Sequence, residues 1–578
     1  MQHIVLDRRD DGQLHADATG RAGAAATATE LDAAGMPHRV SELQASALAD
    51  YVREHEAGHP RWVWSSTAHW YPALLAAGVR VQRCLDLALS RRILRASALT
   101  AESELARAPE SAWDHVAAVA TAPVPESAAP ALFDVDAPPP SAPLDAVREF
   151  QSQQQAVSGA DQPGRIRLLL AAESAGALVA EEIRFVGMPW RAEVHDRVLT
   201  EALGPRVPQG RHPVKLEALA ARIRELLDAP GLNPDSQQEL LAALRRAGLE
   251  VSSTRKWELR DVDHPVIAPL LEYRNLYRLF TANGWAWLDA WVRDGRFHPD
   301  YVVGGVVTGR WATSGGGALQ LPKNIRQAVV ADPGWKLVVA DAAQLEPRVL
   351  SGLAGDRGMA DAGRGRDLYD AVVNAGVVAS RREAKIAMLG AMYGATTGDS
   401  ARLKPQLTRA FPQAVALVDH AAQEGERGEQ VVSRLGRTSP RPGDSWREVQ
   451  DRASQPNATA ADERRARAQA RDWGRFTRNF VVQASAAEWA LCWMAEIRLR
   501  LAELWDGGPA GPASLESAPH LVFFLHDEIM VHTPVQFSAQ VEQIVRDAAR
   551  EAGRLLFGTF PVDFPLSIAT VDTYADAK

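Results

Sequence analysis

Residues 521–532 read LVFFLHDEIMVH, two apolar runs interrupted only by His526-Asp527-Glu528. Branched and aromatic residues on both sides of a short polar turn predict a strand hairpin. A second run, KLVVAD (336–341), predicts a short buried strand that ends on Asp341. A carboxylate at the end of a buried strand is costly to desolvate unless a cation or a hydrogen-bond donor compensates. Brought together, Asp341 and Asp527 would suit a pair of hard cations with oxygen ligands. Taken singly, either aspartate fits better as the cap of a turn.

The rest of the chain sets the context. Its 578 residues call for two or three domains. A net charge of −8 argues against a chain that coats nucleic acid over its whole surface, but it leaves room for a local basic cleft. Two cysteines, Cys84 and Cys492, build neither a disulfide framework nor a cysteine zinc site, and they point to a reducing cytosol. The start, MQHIVLDRRDDG, is charged at once and does not read as a signal peptide. No apolar run approaches membrane-spanning length. APPPSAP (137–143) reads as a linker. From about 165 the pattern turns helical, with apolar residues at helical spacing in 165–183 and 216–227. Asn233-Pro234-Asp235-Ser236 opens another helix with cap-type residues. The Pro-, Gly- and charge-rich stretch 439–471 reads in part as a flexible insertion.

Two further strings accompany the aspartates: DAAQLEPR (341–348) and RREAKIAMLGAMYG (381–394). On a helix advancing about 100° per residue, Arg381, Lys385, Leu389 and Tyr393 form one slowly drifting stripe. Two cations, an apolar residue and an aromatic in that order would suit a triphosphate, a sugar and a base. A solvated helix with an accidentally basic end explains the segment equally well.

In order and spacing, 341–348, 381–394 and 526–528 resemble the three polymerase motifs of the family A DNA polymerases, the class of bacterial DNA polymerase I. TGRWATSGGGALQ (308–320), NIRQAVVADPGWKLVVAD (324–341) and RFTRNFVVQASAAEWA (475–490) resemble further segments of that family. So do 233–249 and 264–279, and the resemblance covers roughly 165–578. It implies that Asp341 and Asp527, with the backbone carbonyl of Ala342, bind two magnesium ions, for which manganese can substitute. It implies that Lys385 and Arg381 contact the triphosphate and that Tyr393 lies by the nascent base pair. Gln344, Glu346, Leu389 and His526 would line the nucleotide site, with Glu346 blocking the ribose 2′-carbon and His526 near the primer terminus. Arg310, Gln320, Arg475, Asn479 and Gln483 would contact the duplex. Glu528 is nearby and secondary.

The chain departs from the family pattern at Ala342 and Ala343, where Tyr and Ser are usual. It departs again at Leu389, where an aromatic ring usually stacks on the sugar, and at Phe524, where a Gln is expected. The region 247–259 lacks the longer thumb tip. At the N-terminus the resemblance implies a 3′–5′ exonuclease-like domain with a depleted carboxylate set. Asp7 is followed by Arg8 and Arg9, and Trp70-Tyr71 stand where an acid is expected. Asp86 matches a later acidic position, and Asp10, Asp11, Asp114 and Asp134 are the other acids at hand. No room remains for a 5′-nuclease domain.

The expected fold class is α/β: a ribonuclease-H-like exonuclease-type domain (1–145), inactive, then a right-hand polymerase domain (160–578). The thumb would span about 200–262, with palm and fingers about 263–578, largely helical around an antiparallel palm sheet. The expected activity is DNA-templated addition of deoxynucleotides to a primer 3′-end, serving repair or replication. The partners are primer-template DNA and deoxynucleoside triphosphates, with no membrane, in a monomer of the bacterial cytoplasm associated with the nucleoid. The alternatives are an exonuclease activity retained by the N-terminal domain, or a non-catalytic DNA-binding relative.

Overall fold

The computed structural model describes residues 2–8, 26–32, 34–116, 144–208, 210–260, 262–394, 398–506 and 514–577. The 137–143 linker and the acids Asp10, Asp11 and Asp134 lie outside them. The chain divides into two compact units.

The larger unit comprises Met1–Val186, Tyr301–Ser314 and Val338–Ala569. It begins with a five-stranded sheet of β1 (His3–Arg8), β2 (Ala26–Leu31), β3 (Pro37–Leu43), β4 (Arg61–Trp64) and β5 (Cys84–Asp86), in the order β3-β2-β1-β4-β5. β1 and β2 are antiparallel, as are β2 and β3, whereas β4 runs parallel to β1 and β5 parallel to β4. Ile4, Val5 and Leu6 in the central strand are fully buried, as are Trp62, Val63 and Trp64 beside them. Such unbroken apolar runs are what a strand covered on both faces requires.

Helix α1 (Pro163–Val186) packs against β5, where the Ser174 hydroxyl accepts from the Asp86 amide at 3.0 Å. Gly176 on α1 marks a close approach, because a Cβ there would come within 2.6 Å of Leu491. A second sheet is built from β6 (Trp335–Ala342), β7 (His520–Leu525), β8 (Glu528–Pro534) and β9 (Leu566–Val571), in the order β7-β8-β6-β9. β7 and β8 form the expected hairpin, with Leu525 opposite Glu528. Both strands are buried almost throughout, so the apolar runs that flank the polar turn are spent in the core.

Helix α2 (Leu345–Ala354) follows β6 directly. Helix α3 (Arg381–Tyr393) packs in a core with the helices Gly398–Ala410 and Pro412–Glu426 and with Phe480–Ala484 of α4 (Ala460–Asp506). α4 has 47 residues, about 70 Å at 1.5 Å per residue. The flexible insertion expected in 439–471 is corrected here. Asp444–Ala453 is a helix, and α4 already starts at Ala460. Thr459 and Asp462 cap α4 reciprocally: the Asp462 amide donates to the Thr459 hydroxyl at 3.2 Å, and that hydroxyl donates to the Asp462 carboxylate at 2.6 Å. The Ala/Arg/Glu-rich run that follows has high helix propensity, so charge density there marks a solvated helix.

The smaller unit comprises Gly187–Asp300, Gly315–Leu337 and Thr570–Lys578. Its helices include Val214–Leu226 and Gln237–Arg246, and Ser236 caps the latter by accepting from the Glu239 amide. Trp190, His195, Trp287 and Phe297 form a ring cluster with centroids 4.9–5.7 Å apart.

Candidate active site

β6 carries Asp341 as its last residue but one, and the turn between β7 and β8 presents Asp527. The Ala342 amide donates to the Asp527 carbonyl at 2.8 Å, so the two aspartates stand at adjoining strand ends. Both are half-buried, and Glu528 is buried. The turn is tight: the Asp527 amide donates to the Leu525 carbonyl at 2.7 Å, and His526 adopts a left-handed φ of 56°. The donors gathered here are carboxylate and backbone-carbonyl oxygens, the set that hard divalent cations take.

A cleft of about 240 Å³ opens beside the turn, lined among others by Arg310, Gln344, Glu346, Leu389, His526 and Asp527. Tyr393 lines it too, from the last turn of α3. Glu346 in the first turn of α2 accepts from the Arg310 guanidinium on one oxygen and from the Tyr393 hydroxyl on the other. Burial and the Glu346 carboxylate push the Tyr393 phenol far up, so it stays a donor at any ordinary pH. His526 is held below the usual histidine range by burial first and the Arg310 charge second.

Gln344 caps α2 in a left-handed conformation with φ 53°. Its side chain donates to Asp367 at 2.6 Å and accepts from the Leu368 amide at 3.0 Å. Arg381 at the start of α3 donates to the same Asp367 at 2.8 Å and lies 5.4 Å from the Tyr369 ring centroid. Burial works to raise Asp367, and the Arg381 guanidinium and helix amides outweigh it, holding the carboxyl below its usual range. Lys385, one turn further along α3, is exposed. It has no hydrogen-bond or ion-pair partner among the described residues. The far end of α3 is anchored by Arg478 of α4, which donates to the Ala391 carbonyl and pairs with Asp419.

Arg475, Asn479 and Gln483 form a more open stripe along α4 that leads toward Ala486 and Ala487 in the cleft. Arg475 is paired with Asp472, and Asn479 keeps a buried side-chain oxygen with no partner. Gln320 belongs to the smaller unit, where it ends the turn Ala318–Gln320. The cleft also contains residues that the sequence reading did not single out: Trp311, Tyr369 and Leu491. Trp311 sits inside the Thr-Gly-Arg segment but carries no reactive group. Asp367 reads as an ordinary helix cap, which it also is, accepting from the Tyr369 and Asp370 amides. Phe524 packs against Trp311 at 4.8 Å between centroids, so the position where a Gln was expected is part of an aromatic floor.

At the N-terminal sheet, each described acid has structural partners. Asp7 accepts from the amides of Arg8 and Ala146, both at 2.9 Å. Asp86 is buried and caps a helix, accepting from Thr67 at 2.7 Å and Leu89 at 2.9 Å. Asp114 pairs with Arg91 at 3.0 Å. The Arg8 guanidinium lies 5.1 Å from the Trp70 ring centroid, and Tyr71 donates to Glu182 at 2.7 Å.

Comparison with known proteins places this geometry in a family. The model of DNA polymerase family A matches residues 210–573, more than half of the chain. The thermostable DNA polymerase I of Thermus filiformis is 25% identical over 394 residues, covering 62% of this chain and 41% of that one. DNA polymerase I of Chloroflexus aurantiacus is 26% identical over 347 residues, covering 55% of this chain and 33% of that one. Each match therefore spans less than half the length of the relative. Among solved structures, the POL domain of Pol1 from M. smegmatis, in complex with DNA primer-template and dNTP, superposes with a TM-score of 0.63 at 17% identity. That superposition covers 100% of this chain and 96% of the other, and it shows a shared fold. The chain belongs to DNA polymerase family A.

Proposed function

We propose that this chain is a DNA-templated DNA polymerase that adds deoxynucleotides to a primer 3′-end. The observation that carries the reading is the pairing of Ala342 with Asp527, which sets two carboxylate-bearing strand ends side by side, with Asp527 lining a cleft of about 240 Å³. Asp341, Asp527 and the Ala342 carbonyl would hold magnesium, which when bound supplies the positive charge that activates the primer hydroxyl and steadies the leaving pyrophosphate.

The protein's own part is positioning. Lys385 and Arg381 offer two cations at the first turns of α3, where the helix N-terminus also favours anions. A triphosphate there competes with Asp367 for Arg381, so the Arg381–Asp367 pair is an exchange partner for phosphate. Leu389 and Tyr369 face the sugar, and Tyr393 the base. Glu346, fixed by Arg310 and Tyr393, fills the space a 2′-hydroxyl would need. Arg475, Asn479 and Gln483 on α4, with Arg310 and Gln320, contact the duplex through groups common to every correct base pair.

The order and directions of β1–β5 support a ribonuclease-H-like reading of residues 1–145, with the polymerase domain at 160–578 and its thumb at about 200–262. No helix among the described residues is long and apolar enough to cross a membrane. We read the protein as a monomer of the bacterial cytoplasm, associated with the nucleoid.

Primer extension tests the reading. The wild-type protein with magnesium should extend a recessed primer on a DNA template. Asp341→Asn and Asp527→Asn should each lose extension by about a hundredfold to a thousandfold, the scale of removing preorganised charge stabilisation, while primer-template binding persists. Near-normal extension by either variant removes the assignment.

A further inference from the structure

A buried ion pair stands beside the cleft without lining it. Glu173 of α1 and Arg437, 264 residues apart in sequence, pair at 2.7 Å. Their side chains are 2% and 11% exposed. Stability does not account for such a pair, because well-packed apolar side chains of similar volume do as well or better in its place. What the pair supplies is a fixed position for the guanidinium. The backbone of Arg437 is held as well. Its carbonyl accepts from the Ser433 amide at 2.8 Å, and within that turn Glu488 of α4 accepts from the Leu435 amide at 2.8 Å.

The pair bears on one short stretch of backbone, residues 304–310. Gly304 and Gly309 have left-handed φ of 60° and 81°, a conformation open to glycine. A Cβ at Gly304 would collide with the Glu173 carboxylate, and one at Gly309 with the Arg437 guanidinium. Between these points the chain turns back on itself. The Gly309 amide donates to the Val306 carbonyl at 2.7 Å, and the Val306 amide donates to the Arg310 carbonyl at 3.1 Å. The ion pair therefore supports the turn at both ends.

The residue after the second support is Arg310, which donates to Glu346. Gly309, Arg310 and Glu346 line the cleft beside Asp527, whereas Glu173 and Arg437 line a neighbouring one. Arg437 meets Gly309 through Nε, Cζ and Nη2, so the guanidinium supports the turn by its shape as well as its charge.

We propose that Arg437, seated by Glu173, is a positioning residue for sugar selection. It sets the backbone at Gly309, which sets the reach of Arg310, which sets the place of the Glu346 carboxylate. The inference rests on the polymerase reading in taking Glu346 as the group that excludes a 2′-hydroxyl.

The test is single-turnover primer extension with dATP and with ATP opposite a template thymidine, using the full chain. Arg437→Lys keeps the charge and loses the flat guanidinium. It should raise incorporation of ATP relative to dATP by about threefold to tenfold, within the range that packed side chains transmit. Added to Glu346→Ala, the same change should shift the ratio no further, because the two act through one path. Glu173→Gln removes the charge partner of Arg437 and should shift the ratio in the same direction, and it carries the test if Arg437→Lys does not fold. Arg441→Ala, an exposed arginine of the same loop with no ion pair among the described residues, should leave the ratio unchanged. The ratio is read in parallel as relative binding of dATP and ATP to the complex with a dideoxy-ended primer-template. An unmoved ratio, an equal loss with both nucleotides, or a shift that persists in full on Glu346→Ala overturns the proposal. A wild type that extends no primer, whose binding preference for dATP is nevertheless narrowed by Arg437→Lys, would reject the polymerase reading and leave this one standing.

Discussion

Glu346 is the residue on which the cleft beside Asp527 is organised. One oxygen is held by Arg310 and the other by Tyr393, so its position is fixed from two separate segments of chain. A carboxylate fixed in that way can exclude a hydroxyl by position alone. Glu346→Ala should raise ribonucleotide over deoxynucleotide incorporation by about tenfold to a hundredfold, the range a small steric feature commands. An unmoved ratio in single-turnover assays would place the steric gate elsewhere. On the proposed reading Leu389 would offer the sugar an apolar contact with no ring and no hydroxyl. Dideoxynucleotides should therefore be used poorly, and Leu389→Tyr should improve their use by roughly an order of magnitude. Equal use of both nucleotide types by the wild type would contradict this.

Helix α4 carries several roles along one element. Its first half presents Arg475, Asn479 and Gln483, and further along it buries Glu488, Trp489 and Trp493. Glu488 accepts from the Ser433 hydroxyl and, at 2.8 Å, from the Leu435 amide, so it pins the loop that continues to Arg437. Burial pushes its carboxyl up to about 7. An unfolded glutamate titrates near 4.5, so between these values the folded chain holds a proton that the unfolded chain has released. Stability should accordingly fall as pH rises from about 5 to about 7, by on the order of 3 kcal/mol, and level off above. Glu488→Gln mimics the protonated side chain and should flatten that fall in urea midpoints measured at pH 5, 6, 7 and 8. A parallel pH profile for wild type and variant would remove Glu488 as the cause.

On the scale of the whole molecule, the five-stranded sheet is bound to the rest of its unit by ionic ties. Glu182 of α1 is fully buried among Arg80, Arg498 and Tyr71, which belong to segments far apart in sequence. Burial acts to raise Glu182, and the two guanidinium groups overcome it and bring it down to about 2. Such a domain keeps its packing whether or not it keeps a catalytic metal set. Asp7, Asp86 and Asp114 are engaged by backbone amides or arginine. The protein with magnesium or manganese and no nucleotides should therefore leave a mismatched primer uncut. Shortening from the 3′-end that persists in Asp341→Asn would show a working nuclease in the N-terminal domain.

The strand hairpin at 521–532, the strand ending on Asp341 and the stripe on α3 were legible because each is written in local periodicity and turn residues. That Ala342 pairs with Asp527, and that Asp527, Leu389 and Tyr393 line one cleft, was legible only through resemblance, since no spacing along the chain tells which strand ends adjoin. The tertiary structure decided the rest. It made Asp367 a partner of both Gln344 and Arg381, put Trp311 and Tyr369 in the cleft, and turned Asp86 into a helix cap. It also set Glu173 and Arg437, far apart in sequence, against the turn that leads to Arg310. These outcomes depend on which groups are left together when water is excluded, and a linear sequence does not state that.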